Sequence, residues 1–313
     1  MKRVVVLMGG LSSEREVSLR TGRAVSDALR GRGYDVVDID MGRDVASVLA
    51  AARPDVVFNA LHGRFGEDGC VQGICEVLGL PYTGSGVLAS ALAMDKVIAK
   101  RAFAAAGLPV PEGVDGTADE LRGKTLASMG LATPVVVKPR FEGSSVGVSI
   151  VRAEGELAAA LQHASATGPH VLVERFVKGR EVCVGVLDGR ALGTIEIVPA
   201  SGFYDYEAKY QRSDTQYLYP APLDETQRDT VMRISARAHE VLGCRGVTRA
   251  DVLVPDLAPR GARKDQLGTP VLLEINTLPG MTATSLIPKI ARGAGISFED
   301  LCGALVESAR LGA

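Results

Sequence analysis

The 313-residue chain is 46% hydrophobic and 23% charged, with a formal net charge of −2. It can bury a sizeable core in one large domain or two to three ordinary ones, and it offers no general electrostatic attraction to nucleic acid or an acidic membrane. No run approaches the roughly 18 apolar residues of a membrane span.

Met1–Gly10 has a basic start and an apolar stretch, but the stretch is too short for a signal peptide, and Gly9-Gly10 before polar Ser12-Ser13-Glu14 is no cleavage site. Arg3–Met8 therefore reads as a buried strand. A helix follows from about Glu14 to Arg30. Ser13 and Glu16 have the spacing of a capping box, and Val17, Thr21, Ala24, Val25 and Ala28 recur on one face. Tyr34–Asp40 reads as a strand, Val45–Ala52 as a helix and Asp55–Asn59 as a strand. This β-α-β-α-β series is the pattern of a doubly wound parallel sheet. Ligands in such sheets gather at the carboxyl ends of the strands, here Gly9-Gly10 and Leu61-His62-Gly63.

A helix around Gly69–Leu78 and a turn over Pro81–Gly86 close this unit, and Gly107–Pro111 is a stiff connector. Val135–Lys138, Val146–Val151, Val171–Phe176 and Glu181–Leu187 then read as strands, with Asp188-Gly189 a hairpin turn. Pro199–Pro220 is polar and aromatic without periodicity, a loop of the length that is functional or disordered. A helix over Glu225–Leu242 leads to strands Val247–Val254 and Val271–Thr277 around a polar tip. Five cysteines without C-x-x-C read as reduced thiols of a cytosolic protein, and four histidines lack zinc-ligand spacing.

The strongest constellation lies in the last two strands. Arg249 and Asp251 share one strand face, as do Glu274 and Asn276. If the strands pair, two carboxylates, an amide and a guanidinium converge, a set of oxygen donors suited to Mg²⁺ held partly by phosphates. A surface salt-bridge cluster is the alternative, weakened by the apolar flanks Val252, Leu253, Leu272 and Leu273. Lys138 ends an apolar strand before the Gly/Ser loop Glu142–Gly147, an arrangement that presents a cation and backbone N–H groups to phosphate; a flexible turn is the plainer reading. Neither a P-loop nor a dinucleotide fingerprint is present. Glu174 and Glu181 read as solvated strand ends, His62 as a structural histidine and Lys96 as an ordinary helix-start lysine.

Taken together, Gly9–Ser18, Leu61–Gly69, Pro81–Gly86, Met94-Asp95-Lys96, Glu142–Gly147, Phe203–Tyr210 and Glu274–Thr282 resemble the D-alanine–D-alanine ligases of the ATP-grasp superfamily, nearly end to end and in order. Leu11 and Ala250 are the small departures. The resemblance implies an α/β fold: a doubly wound substrate-binding domain over 1–94, then a two-part ATP-grasp fold with a central subdomain over 95–183 and a catalytic subdomain over 184–313. It implies that Lys96, Lys138 and Lys209 contact ATP phosphates under the loop of Ser144, Ser145 and Val146. Glu174, Val177 and Glu181 would hold adenine and ribose, with Phe203 on the base. Asp251, Glu274 and Asn276 would bind two Mg²⁺ or Mn²⁺ ions. Glu14 would take the ammonium of the first D-alanine and be linked through Ser144 to Tyr210. His62 would line the substrate site, Arg249 and Gly280 would stabilise an oxyanion, and Ser285 would hold the second carboxylate. A cytoplasmic homodimer with the 199–220 stretch as a lid completes the implied picture.

These groups suit a carboxylate activated by ATP as an acyl phosphate and then attacked by an amine. Another ATP-grasp carboxylate–amine ligase is the nearest rival, in particular one making the D-alanyl–D-lactate ester, which is less suited to Tyr210. A non-catalytic nucleotide sensor is the other, disfavoured because no lysine or metal ligand is lost.

Overall fold

The computed structural model of the chain describes residues 1–199, 214–255 and 268–312. In its first part, β1 (Arg3–Met8), α1 (Arg15–Gly31), β2 (Asp35–Asp40), α2 (Val45–Ala52) and β3 (Val56–Asn59) build a parallel sheet of order β2-β1-β3. The continuous apolar run of β1 serves both faces. Val4, Val6 and Met8 pack with Val25, Ala28 and Leu29 of α1, while Val5 and Leu7 pack with Val45 and Leu49 of α2. The sheet is doubly wound, as expected.

The capping box expected on Ser13 and Glu16 does not form. α1 starts at Arg15 with Glu14 in the N-cap position and no side-chain cap, and Ser12 Oγ accepts from the Glu14 N–H at 3.2 Å. The buried stripe runs through Thr21, Val25, Ala28 and Leu29, with Val17 and Ala24 at its edge. The start of α1 is thereby left to face a cleft.

α3 (Cys70–Leu78), α4 (Val87–Met94) and α5 (Lys96–Ala105) follow. Asp95 caps α5, accepting from the Val97 and Ile98 N–H groups at 3.1 and 3.2 Å. The second sheet contains β4 (Gly113–Thr117), β5 (Val135–Pro139), β6 (Ser149–Val151) and β7 (His170–Arg175), antiparallel in the order β4-β7-β5-β6. Its two helices are α6 (Ala118–Arg122) and α7 (Leu157–Ala164). One face, with Val135, Val137, Val171 and Val173, packs on these helices through Leu121, Leu157 and Leu161; the other carries Val136, Lys138 and Glu174 toward the cleft. β6 is shorter than the strand expected over Val146–Val151, because the chain loops as far as Val148.

The third sheet, of order β10-β9-β8-β11-β12, is antiparallel. It comprises β8 (Gly179–Leu187), β9 (Arg190–Val198), β10 (Gln216–Leu218), β11 (Val247–Pro255) and β12 (Val271–Asn276), with α8 (Glu225–Val241) before β11. The boundary expected between Cys183 and Val184 falls inside β8, whose whole length pairs with β11. α5 also belongs with this sheet, because Ala99 and Phe103 join Val182, Val184 and Val252 in its core. The stretch read as an irregular loop over Pro199–Pro220 is partly a strand: β10 pairs with Glu196–Val198 at the sheet edge. The remainder of that stretch, 200–213, lies outside the described residues.

α9 (Leu286–Gly293) and α10 (Phe298–Glu307) end the fold. α10 returns to the first sheet, where Leu301, Leu305 and Val306 pack in one cluster with Val25, Leu29 and Val6. Among the described residues no helix is long and apolar enough to cross a membrane.

Candidate active site

The three sheets enclose a cleft with two lobes, of about 430 Å³ and 630 Å³. Both have the size range of small-molecule sites. The smaller is lined by Glu14, His62, Arg249, Asn276, Gly280 and Ser285. The larger is lined by Lys138, Ser145, Val146, Glu174 and Val177. Lys96, Ser144, Glu181, Asp251 and Glu274 border both. Every expected site residue that the structure describes thus faces one continuous space. Phe203, Lys209 and Tyr210 lie outside the described residues.

The strand pairing anticipated for the last two strands is present. Arg249 lies opposite Asn276 and Asp251 opposite Glu274, while Ala250 opposes Ile275 on the apolar side. A bulge after Asp251 leaves Leu273 as the extra residue of β12. Arg249 donates from Nε and Nη2 to the two oxygens of Asp251, each at 2.8 Å. Burial opposes the guanidinium's charge, but the adjoining Asp251 carboxylate outweighs it and raises the pKa of Arg249. The Cys183 thiol on neighbouring β8 donates to Asp251 Oδ1 at 2.9 Å. Two carboxylates and an amide oxygen, few and hard, fit a Mg²⁺-type ion that takes its remaining ligands from phosphate and water.

The loop after β5 is held from two sides. Arg140 makes a bidentate pair with Asp95, at 2.8 and 2.6 Å, and the Lys96 ammonium donates to the Glu142 carbonyl. Lys96 Nζ also stands 3.6 Å from Glu274 Oε2. One side chain, Asp95, therefore caps the helix that carries Lys96 and anchors the loop that carries Ser144. Ser144 and Ser145 have φ of 52° and 58°, a left-handed conformation that is uncommon outside glycine and concentrates at ligand clamps.

At the amino-acid end, Glu14 accepts a 2.7 Å hydrogen bond from Ser144 Oγ through Oε1. Gly63 fits against the same carboxylate, since a Cβ there would stand 2.8 Å from Glu14 Oε2. His62 is buried, with Nε2 3.0 Å from Thr21 Oγ1 and Nδ1 3.4 Å from Glu67 Oε1. Ser285 occupies the N-cap position of α9 without capping it through its side chain. Its Oγ instead accepts from the Thr282 N–H at 3.1 Å. A Cβ at Gly280 would come within 2.8 Å of that same Oγ, so the glycine permits this close turn.

Glu174 departs from its sequence reading, and its partner Lys100 had none. Glu174 is not a solvated strand end: it is 2% exposed and forms ion pairs with Lys138 and Lys100. Lys100 is a charged residue the sequence did not single out, because a lysine on an amphipathic helix ordinarily lies in solvent. Among the apolar walls of the larger lobe, Val136 and Ile150 were likewise not singled out, and Leu253 and Leu273 read only as apolar flanks.

A parallel-sheet domain joined to two antiparallel sheets, with lysines and acidic residues meeting where they face one another, defines an ATP-grasp protein. Residues 103–307 match the profile described as D-ala D-ala ligase C-terminus, and residues 42–85 that described as D-ala D-ala ligase N-terminus. The chain is 52% identical over 310 residues to a D-alanine–D-alanine ligase of Anaeromyxobacter sp. strain K, covering 99% of this chain and 97% of that one. It is 51% identical to the enzyme of that name from Geobacter sulfurreducens, covering 99% and 94%. A solved D-alanine–D-alanine ligase from Bacillus anthracis complexed with ATP superposes with a TM-score of 0.84 at 33% identity, over 98% of this chain and 97% of that one. The chain belongs to the D-alanine–D-alanine ligase family.

Proposed function

We propose that this chain joins two D-alanines with ATP, through a D-alanyl phosphate, to make D-alanyl-D-alanine for peptidoglycan. The observation that carries the reading is the meeting of the two lobes at Lys96, Ser144, Asp251 and Glu274. A nucleotide in the larger lobe would direct its γ-phosphate toward an amino acid in the smaller one.

A carboxylate is a poor acyl donor until phosphorylated. Lys138 and Lys96, with the N–H groups of the Ser144–Val146 loop, balance charge on the transferring phosphoryl group, so the step is chiefly positioning and electrostatics. Glu14 binds the ammonium of the first D-alanine, and Ser144 fixes that carboxylate. The amine of the second D-alanine, its carboxylate held at Ser285, attacks the acyl carbon. Arg249 and the backbone at Gly280 stabilise the oxyanion, and phosphate leaves. Asp251, Glu274 and Asn276 would hold two divalent ions, which when bound supply charge neutralisation to the triphosphate.

The test is incubation of the protein with ATP, Mg²⁺ and D-alanine, following ADP and dipeptide together. ADP release that depends on D-alanine, with L-alanine inert, is the expected result. ADP release without amino acid, or ester formation favoured over dipeptide when D-lactate competes, would overturn it. We further place the enzyme in the cytoplasm, where ATP is available and its free cysteines stay reduced. We propose, on the family resemblance, that it acts as a homodimer. A monomeric mass by light scattering at micromolar concentration would contradict this.

A further inference from the structure

Lys96 and Lys100 stand one turn apart on α5, so their side chains leave the same face of the helix. They go to different destinations. Lys96 reaches the loop and Glu274, whereas Lys100 Nζ pairs with Glu174 Oε1. The other oxygen of Glu174, Oε2, lies 2.5 Å from Lys138 Nζ. Glu174 faces Val136 across the β5–β7 ladder, which puts Lys138, two residues on, on the same sheet face. Lys100, Glu174 and Lys138 are only 7%, 2% and 9% exposed.

Three buried charges are costly, and charge balance asks for only two. A Lys138–Glu174 pair alone would be neutral and would present no net attraction to an anionic ligand. Lys138 and Glu174 line the larger lobe, while Lys100 stands behind them. We propose that Lys100 is a positioning residue for nucleotide binding: it occupies one oxygen of Glu174, so that Glu174 orients Lys138 without cancelling its charge. The cluster then presents one net positive charge to phosphate oxygens. This rests on the reading of the larger lobe as the ATP site.

The charged groups facing Lys100 are Glu174 on β7, Lys138 on β5 and Glu274 on β12. α4 and α8 bring Leu92, Ala93, Ile234 and Ala238 to the apolar cluster that also takes Ala99 and Phe103. Burial, reinforced by Lys138, lowers the Lys100 pKa to about 8 against the opposing pull of Glu174. The cluster is therefore cationic below that pH and loses its net charge as pH rises through it.

The experiment measures KM for ATP, KM for D-alanine and kcat in the intact enzyme across the range of about pH 6 to 9.5. It compares wild type with Lys100→Met, Lys100→Arg and Lys138→Met. Lys100→Met should raise KM for ATP about ten-fold while leaving KM for D-alanine within about two-fold. Wild type should show KM for ATP rising above about pH 8, and Lys100→Arg should abolish the rise, since a guanidinium does not titrate there. An unchanged KM for ATP in Lys100→Met, or a parallel rise in both KM values with a lowered melting temperature, would overturn the inference. If Lys100→Met fails to fold, the pH profile of Lys100→Arg decides: a profile like wild type sinks the proposal. Lys138→Met separates the two readings. An unchanged KM for ATP there removes the ATP-site assignment itself, whereas a rise there without one in Lys100→Met removes only the role of Lys100.

Discussion

Ser144 Oγ donates to Glu14 Oε1 at 2.7 Å, joining residues 130 positions apart. The bond ties the loop of the second sheet to the start of α1 in the first, and so ties the two lobes of the cleft together. Ser144→Ala should lower kcat by about ten- to a hundred-fold and raise KM for D-alanine, because a small misplacement of the bound amino acid is costly to reaction. Stability should change by no more than about 1 kcal/mol, since the hydroxyl is half-buried. Steady-state kinetics beside a thermal melt checks both; an unchanged kcat would detach the loop from the chemistry.

Glu274→Gln replaces a charged oxygen donor opposite Asp251 with a neutral one of the same shape. Divalent-ion affinity should fall by about ten- to a hundred-fold, and ligation should be lost at ordinary Mg²⁺ concentrations. The fold should persist, because Glu274 is half-buried and its neighbours Leu272 and Ile275 supply the packing. Mn²⁺ binding followed by electron paramagnetic resonance reads the loss directly, and wild-type affinity in the variant would remove Glu274 from the ligand set.

Asp95 offers a pH-dependent test. Burial pushes its pKa up, but the bidentate Arg140 and two backbone N–H groups outweigh burial, so it lies below the ordinary carboxylate value. A depressed carboxylate pKa contributes stability above the unfolded value, and that contribution is lost as pH falls through the folded one. Asp95→Asn should therefore cost about 1–3 kcal/mol at neutral pH. The difference from wild type should shrink below about pH 4. Urea melts at neutral and acid pH provide the comparison; a gap that stays constant down to about pH 2 would mean that the pair does not act through charge.

The thiols give a fourth expectation. Burial raises the pKa of Cys75 and Cys302 to about 12 and of Cys244 to about 11, and that of buried Cys183 well up. Only Cys70 is exposed. A disulfide reagent near neutral pH should modify one thiol in the native protein and five after denaturation. Fast labelling of two or more in the native state would show that the cores around these residues open readily.

What was legible in the sequence depended on periodicity. β1 could be read because a short apolar run between polar ends has the length of a buried strand and is too brief for a buried helix. The Arg249/Asp251 and Glu274/Asn276 patch could be read because alternate strand residues share a face. Lys100 escaped notice, and Glu174 read on its own as a solvated strand end, for the opposite reason. Each looks solvated along its own element, and only the approach of α5 to the second sheet buries them together. The capping box failed because a local signal at Ser13 and Glu16 competes with tertiary demands on Glu14, whose carboxylate is engaged by Ser144. β10 was missed because its three residues are too few to show alternation.

The return of α10 to α1 bears on how the chain is made. Synthesis runs from the N-terminus, and domains ordinarily fold as they emerge. Here the cluster between β1 and α1 is not complete until Leu301, Leu305 and Val306 have been translated, because they fill it together with Val6, Val25 and Leu29. Throughout elongation the nascent first domain carries an open apolar stripe. The first sheet thus depends for its full cover on a helix made about 240 peptide bonds of synthesis after β3.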